Sequence, residues 1–167
     1  MTEVQTKVKV SSPIISEREI DRLLKSGNWM IRMDNDGKSH NGFKWKPIGE
    51  WTEAPDWNTK DVCQGGLFGQ SPKEAGYCKP GTRLVLCETK GEQIAVGGEK
   101  VKVQFARIIA VNNIPPAFFE KLVGGSLDLR GCDLKGITLP QSVGGSLDLS
   151  GCEGITLPQN LKRRVII

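Results

Sequence analysis

The chain has 167 residues, with 23 Lys+Arg against 19 Asp+Glu and a formal charge of +4. Its 38% hydrophobic and 25% charged residues exclude a disordered chain, and at this length a core forms without help from disulfides or metal. No apolar run reaches the ~18 residues of a membrane-spanning helix, MTEVQTKVKVSS lacks the apolar centre of a signal peptide, and so dispersed a charge does not mark duplex nucleic acid as a partner.

From the N-terminus, residues 3–10 alternate, with Val4, Thr6, Val8 and Val10 on one side and Gln5, Lys7 and Lys9 on the other, which predicts a strand. Ser16 to Gly27 carries a helix signature. Ser16 and Glu19 have capping-box spacing, Ile15 and Ile20 have staple spacing, and Gly27 supplies the left-handed stop. Trp29 to Met33 reads as a strand, leading through Asp34-Asn35-Asp36-Gly37 into Gly42-Phe43-Lys44-Trp45. A calcium loop aligned on Gly37 would need carboxylates at Arg32 and Phe43, so a hairpin turn is the reading taken. Pro47 to Pro80 is irregular and rich in Gly, Pro and Trp. Thr82 to Val111 then predicts three antiparallel strands, 82–87, 93–96 and 100–111. The last alternates so that Val101, Val103 and Phe105 face a core while Lys100, Lys102 and Gln104 face solvent.

The C-terminal part repeats itself. VGGSLDLRGCDLKGITLPQS at 123–142 is followed by VGGSLDLSGCEGITLPQN at 143–160. Each unit contains L-x-L-x-x-C, the strand-and-turn core of a leucine-rich repeat. Leu127, Leu129 and Cys132 would stack on Leu147, Leu149 and Cys152. Ile108 to Pro115 and Leu161 to Ile167 would supply degenerate flanking rungs, with Val165 and Ile167 over Leu147 and Leu149. The fold class expected is therefore β-rich α+β: an antiparallel sheet with one short N-terminal helix, continuing into a short leucine-rich-type β-solenoid. The expected division is 1–111 and 112–167.

For chemistry the sequence offers little. The five cysteines are an odd number and show no C-x-x-C spacing, which suits free thiols in a reducing cytoplasm. With one histidine, His40, no metal set is assembled. The Gly65-Gly66 run lacks the Lys-Ser/Thr ending of a phosphate loop. Seven of the ten aromatics, including all four tryptophans, lie between Trp29 and Tyr77, interleaved with Arg32, Lys44 and Lys46. Aromatic faces beside cations suit a planar anionic ligand such as a nucleotide. The candidate ligand-binding residues are Arg32, Asp34, His40, Lys44, Trp45, Trp51, Trp57 and Phe68; no catalytic residue is assigned.

The runs GFKW, EWTEAPDW, CQGGLFG and KVKVQFARII, in this order within residues 29–111, resemble a domain of uncharacterised bacterial and phage proteins. That domain carries G-F-x-W, E-A-P-D-W, C-x-G-G-L-H-G and K-V-K-F, and short leucine-rich-type repeats follow such domains elsewhere. Phe68 stands where the pattern has His. A second stretch, IRMDNDGKSHNGF, is similar to the R-x-D…G-F opening of ADP-ribosyltransferase toxins, although their S-T-S strand and E-x-E or Q-x-E pair are missing here. The first resemblance implies a phage or mobile-element accessory and brings no established activity. The expectation is a monomeric, cytoplasmic, non-enzymatic binding protein without a cofactor, which engages a host protein or sequesters a small anionic ligand. The alternative is an NAD- or nucleotide-dependent enzyme, with Arg32 on a phosphate and Glu88, Glu92 or Glu99 as the catalytic carboxylate.

Overall fold

The computed structural model describes residues 15–39, 41–122, 127–137, 139, 146–155, 157 and 165–166. The strand expected over 3–10, His40, Lys162, Arg163, Arg164 and Ile167 lie outside the described residues.

Helix α1 (Glu17–Ser26) forms where its caps predict. Ser16 Oγ accepts from the Glu19 amide at 3.3 Å, and Gly27 closes the helix at φ 70°. Leu23 is fully buried, with Ile20 and Leu24 packed beside the core. Strand β1 (Trp29–Asp34) follows. It leads into a tight turn in which Asp36 (φ 53°) and Gly37 (φ 82°) are both left-handed, while Asn35 and Lys38 exchange backbone bonds of 2.9 and 3.2 Å. Two successive positive φ angles give the twist a two-residue hairpin needs, which an Asp-Gly pair adopts readily.

Short strands β2 (Thr52–Glu53) and β3 (Leu67–Gly69) interrupt the irregular segment. Then come β4 (Arg83–Lys90), β5 (Ile94–Val96), β6 (Lys100–Val103) and β7 (Phe105–Val111). They form two antiparallel sheets, ordered β1-β4-β7-β2 and β3-β6-β5. The strand expected over 100–111 is thus broken at Gln104: β6 belongs to the small sheet and β7 to the large one. This division also overturns the assigned solvent face. Lys102 is fully buried, because β6 lies beneath the loop preceding β3.

Both faces of the four-stranded sheet are covered. Trp29, Ile31, Leu84 and Leu86 join Leu23, Phe118 and Phe119 in one cluster. Met30, Val85 and Cys87 join Trp45, Leu67, Val101 and Val103 in another. Side chains alternate across a strand, so β1 places Met30 and Arg32 on the side of the second cluster. The two sheets touch where Ile31 and Gln70 exchange backbone bonds of 2.8 and 2.7 Å. Gly69 permits that approach, since a Cβ there would lie 2.7 Å from Met30 Sδ and 3.0 Å from Ile31 O.

Beyond β7, Pro116 opens α2 (Pro116–Glu120), whose Phe118 meets Trp29 edge-on with ring centroids 4.9 Å apart. The repeats contribute β8 (Leu127–Asp128) and β9 (Leu147–Asp148), joined by β10 (Val165–Ile166) in a parallel sheet ordered β10-β9-β8. Leu127 pairs with Leu147, and Val165 with Leu147 on the other side.

The leucine-rich β-solenoid expected from the repeats is not what forms. The repeat strands are two residues long, and among the described residues no sheet is closed or strongly curled. The fold class is α+β with antiparallel sheets and a small open parallel sheet beside them. The physical reason lies in the core. Leu127, Leu129, Leu147 and Leu149 are buried in one cluster with Leu23, Trp29 and Phe118, so the repeats share a core with the preceding sheet instead of enclosing their own. Nor is Ile108 to Pro115 a rung: its first part is the end of β7, paired antiparallel to β4. Among the described residues, no helix is long and apolar enough to cross a membrane.

Candidate functional site

A cleft of about 670 Å³ opens at the end of β1, between the turn after it, the segment 55–69 and the segment 77–80. This is within the usual range for small-molecule sites. Arg32 stands at its inner end because the alternation of β1 turns it toward the second core cluster where that cluster meets the cleft.

The guanidinium of Arg32 lies 4.5 Å from the centroid of the Trp45 ring. Its Nη1 donates to Phe68 O at 3.2 Å and its Nη2 to Ser39 Oγ at 3.1 Å. Its Nε is buried and, among the described residues, has no partner. Burial pulls the Arg32 pKa down from its ordinary value, against the field of Asp34 and other groups. Among the described residues no carboxylate is bonded to this cation. Asp34, two residues on, is buried and engaged by Arg83, whose Nε and Nη2 reach its two oxygens at 2.8 and 2.9 Å.

Ser39 was not singled out from the sequence, and no motif marks it. Its Oγ accepts from Arg32 and, at 2.9 Å, from Trp45 Nε1. A hydroxyl has two lone pairs and one proton. With both lone pairs occupied, Ser39 has its proton left to donate, and it lines the cleft.

Of the other residues expected at a site, Phe68 lines the cleft beside Lys100, whose Nζ lies 5.1 Å from the ring centroid. Trp45 is 4% exposed and serves as the floor beneath Arg32. Lys44 is exposed and does not line the cleft. Trp51 lies elsewhere, between Lys90 Nζ at 4.6 Å and the Arg107 guanidinium at 5.0 Å. Trp57 is half-buried near Lys102 Nζ, 5.9 Å away. His40 is outside the described residues. The sequence also missed Lys79, Lys100, Phe43 and Tyr77, all of which line the cleft. Chain separation hid them, since the cleft gathers residues from Arg32 to Lys100.

None of the three glutamates weighed for catalysis lines the cleft. Glu88 is held by Arg22 at 2.9 Å and by Arg107 at 2.6 and 2.8 Å; Glu92 and Glu99 are exposed. Among the described residues no group of three or more His, Cys, Asp or Glu could hold a metal ion.

The repeats reinforce the cleft wall from behind. Cys78 N donates to Asp128 O at 3.1 Å and Asp128 N to Gly76 O at 3.2 Å, which places Tyr77 alongside β8. Arg130 bonds Asp128 at 2.8 Å, with its guanidinium 5.8 Å from the Tyr77 ring centroid. The arrangement can therefore present a partly desolvated cation, a hydroxyl donor, two rim lysines and three aromatic rings to one small molecule.

Comparison with family models, with curated proteins and with solved structures finds no match to this chain.

Proposed function

We propose that the protein is a non-enzymatic binding protein that sequesters a small anionic ligand, of nucleotide character, in the Arg32 cleft. The observation that carries this reading is the guanidinium itself: it is bonded only to neutral acceptors, and its buried Nε has no partner among the described residues. Drawing a cation partly out of water without a counter-charge is costly, and an incoming phosphate or carboxylate would supply the missing charge through strong, charge-assisted bonds. The Ser39 proton, which has no acceptor among the described residues, and the rim cations Lys79 and Lys100 favour the same occupant. Phe43, Phe68 and Tyr77 offer faces for a planar group.

The motif resemblance over residues 29–111 supports setting this activity in a phage or mobile-element accessory. Five free cysteines fit the cytoplasm. The protein acts as a monomer on this reading.

The test is calorimetry and thermal shift at low ionic strength with nucleoside mono- and diphosphates, inorganic phosphate and dicarboxylates. One of these raises the melting temperature of the wild type, and Arg32→Gln weakens its binding at least about tenfold, as loss of a buried charge partner does. Chromatography of the recovered ligand finds it unchanged. The reading fails if no anion binds, or if Arg32→Gln binds as well as the wild type. Conversion of the ligand would replace it with an enzymatic one.

A further inference from the structure

Lys102 has no exposed surface, although it is a lysine on a strand of an otherwise alternating pattern. Its stem packs against Gly66, where a Cβ would come within 2.8 Å of Lys102 Cβ. Its ammonium donates to Asn58 Oδ1 at 2.8 Å, Gln64 O at 2.9 Å and Val62 O at 3.4 Å. An ammonium has three donors, and here each has an acceptor, none of them charged. Asn58 N in turn donates to Gly65 O at 3.1 Å. Asn58 also fills the space a Cβ on Gly65 would need, with Nδ2 1.9 Å from that position. The segment 58–66 is thereby wound around one buried nitrogen.

Burial pulls the Lys102 pKa below the usual lysine value, against Asp61 and Asp56 nearby. Were filling space the only requirement, a methionine of similar length would do so without the desolvation cost. What the ammonium adds is a fixed path for the loop, and the inner side of that loop, Cys63 to Gly66, lines the cleft. Lys100 lies two residues away on the same face of β6. It meets the same loop from within the cleft, with Nζ 3.0 Å from Cys63 Sγ.

We infer that Lys102 is the positioning residue of the cleft: without lining it, its ammonium gathers Asn58, Val62 and Gln64 and so holds the glycine-containing rim where a ligand would meet it. This rests on the reading of the cleft as a binding site. The consequence is that ligand affinity depends on a side chain outside the cleft lining.

The test compares Lys102→Met and Asn58→Ser with the wild type in two measurements. Amide hydrogen exchange follows Asn58, whose N–H is bonded to Gly65 O, alongside the amides of β3 and β6. Calorimetry follows adenosine monophosphate as the probe. In both variants the amide of residue 58 loses at least about tenfold in protection, the opening of a local unit, while β3 and β6 keep theirs, and probe affinity falls at least tenfold with Arg32 intact. A merely structural lysine would loosen β6 together with the loop. If Lys102→Met does not fold, Asn58→Ser leaves β6 untouched and gives the same two readings. Unchanged protection at Asn58 overturns the inference, as does lost protection with undiminished affinity. If the wild type binds neither this probe nor any other anion of the panel above, the anion reading fails on its own, and local loss at residue 58 still supports Lys102 as what holds the rim.

Discussion

Asp34 and Arg83 form a two-toothed ion pair, with bonds of 2.8 and 2.9 Å and an Asp34 side chain that is 1% exposed. The pair engages the carboxylate nearest in sequence to Arg32 and so leaves the Arg32 guanidinium, among the described residues, with neutral acceptors. It also raises the Arg83 pKa, chiefly through the hydrogen bond to Asp34. Asp34→Asn would keep the shape, and the acceptor for Gly37 N, but leave Arg83 without its counter-charge. Breaking one side of the pair costs about 2 kcal/mol, less than for a fully buried pair because Arg83 keeps some access to water. Urea unfolding of the variant checks this; a loss within error of zero would show that the pair is not part of what holds the turn to β4.

The tryptophans should separate by burial. Trp45, buried in the second core cluster, should cost about 3–5 kcal/mol on replacement by alanine. Trp51 is half-buried, and its replacement should cost less, about 1–2 kcal/mol, mostly through its contacts with Lys90 and Arg107. Trp45→Ala should also lose anion binding, because it removes the floor under Arg32. Equal stability losses in the two variants would contradict this division.

The thiols give a direct count. All five cysteines are free, and Cys63 is the exposed one. Burial pushes the Cys87 thiol up to about 12 and that of Cys132 up to about 11, and raises Cys78 and Cys152 as well. The thiolate is the reactive form. One thiol per chain should therefore react rapidly with a maleimide under native conditions, with half-buried Cys152 following slowly and the three buried thiols only in denaturant. Peptide mapping that placed the fast label anywhere but Cys63 would refute the assignment.

Acid stability should show the Glu88 cluster. Burial acts to raise the Glu88 pKa, but hydrogen bonds from Arg22 and Arg107 outweigh it, and the carboxyl sits below its ordinary 4.5. A depressed folded pKa gives stability that is complete above the unfolded value and is lost as pH falls through the folded one. Wild type should exceed Glu88→Gln in stability near neutrality, and the gap should narrow below about pH 4.5 as the wild-type carboxyl protonates. A gap independent of pH would mean that the charge on Glu88 contributes nothing.

Local signals were legible in the chain. Ser16 and Gly27 bracket α1 because caps act over three or four residues. Asp36-Gly37 makes its turn because the two φ angles are an affair of those residues. The repeat spacing set Leu127 opposite Leu147. Of the ligand-binding candidates the sequence offers, Arg32, Asp34 and Phe68 line one cleft, whereas Lys44 and Trp51, from the same aromatic and basic run, do not.

What the tertiary structure alone decided is where each pattern found its cover. Alternation predicts that β6 has two different faces, but not that the loop 58–66 lies over the face bearing Lys102. The repeats predict a leucine stripe, but their leucines are buried with Trp29 and Phe118 instead of in a closed coil of their own. Gln104 divides one apparent strand between two sheets through pairings with β3 and β4, which are distant in the chain. A sequence records which residues avoid water; which neighbour removes the water depends on contacts between distant segments, and here those contacts moved a lysine inside and, among the described residues, gave Arg32 neutral acceptors in place of a carboxylate.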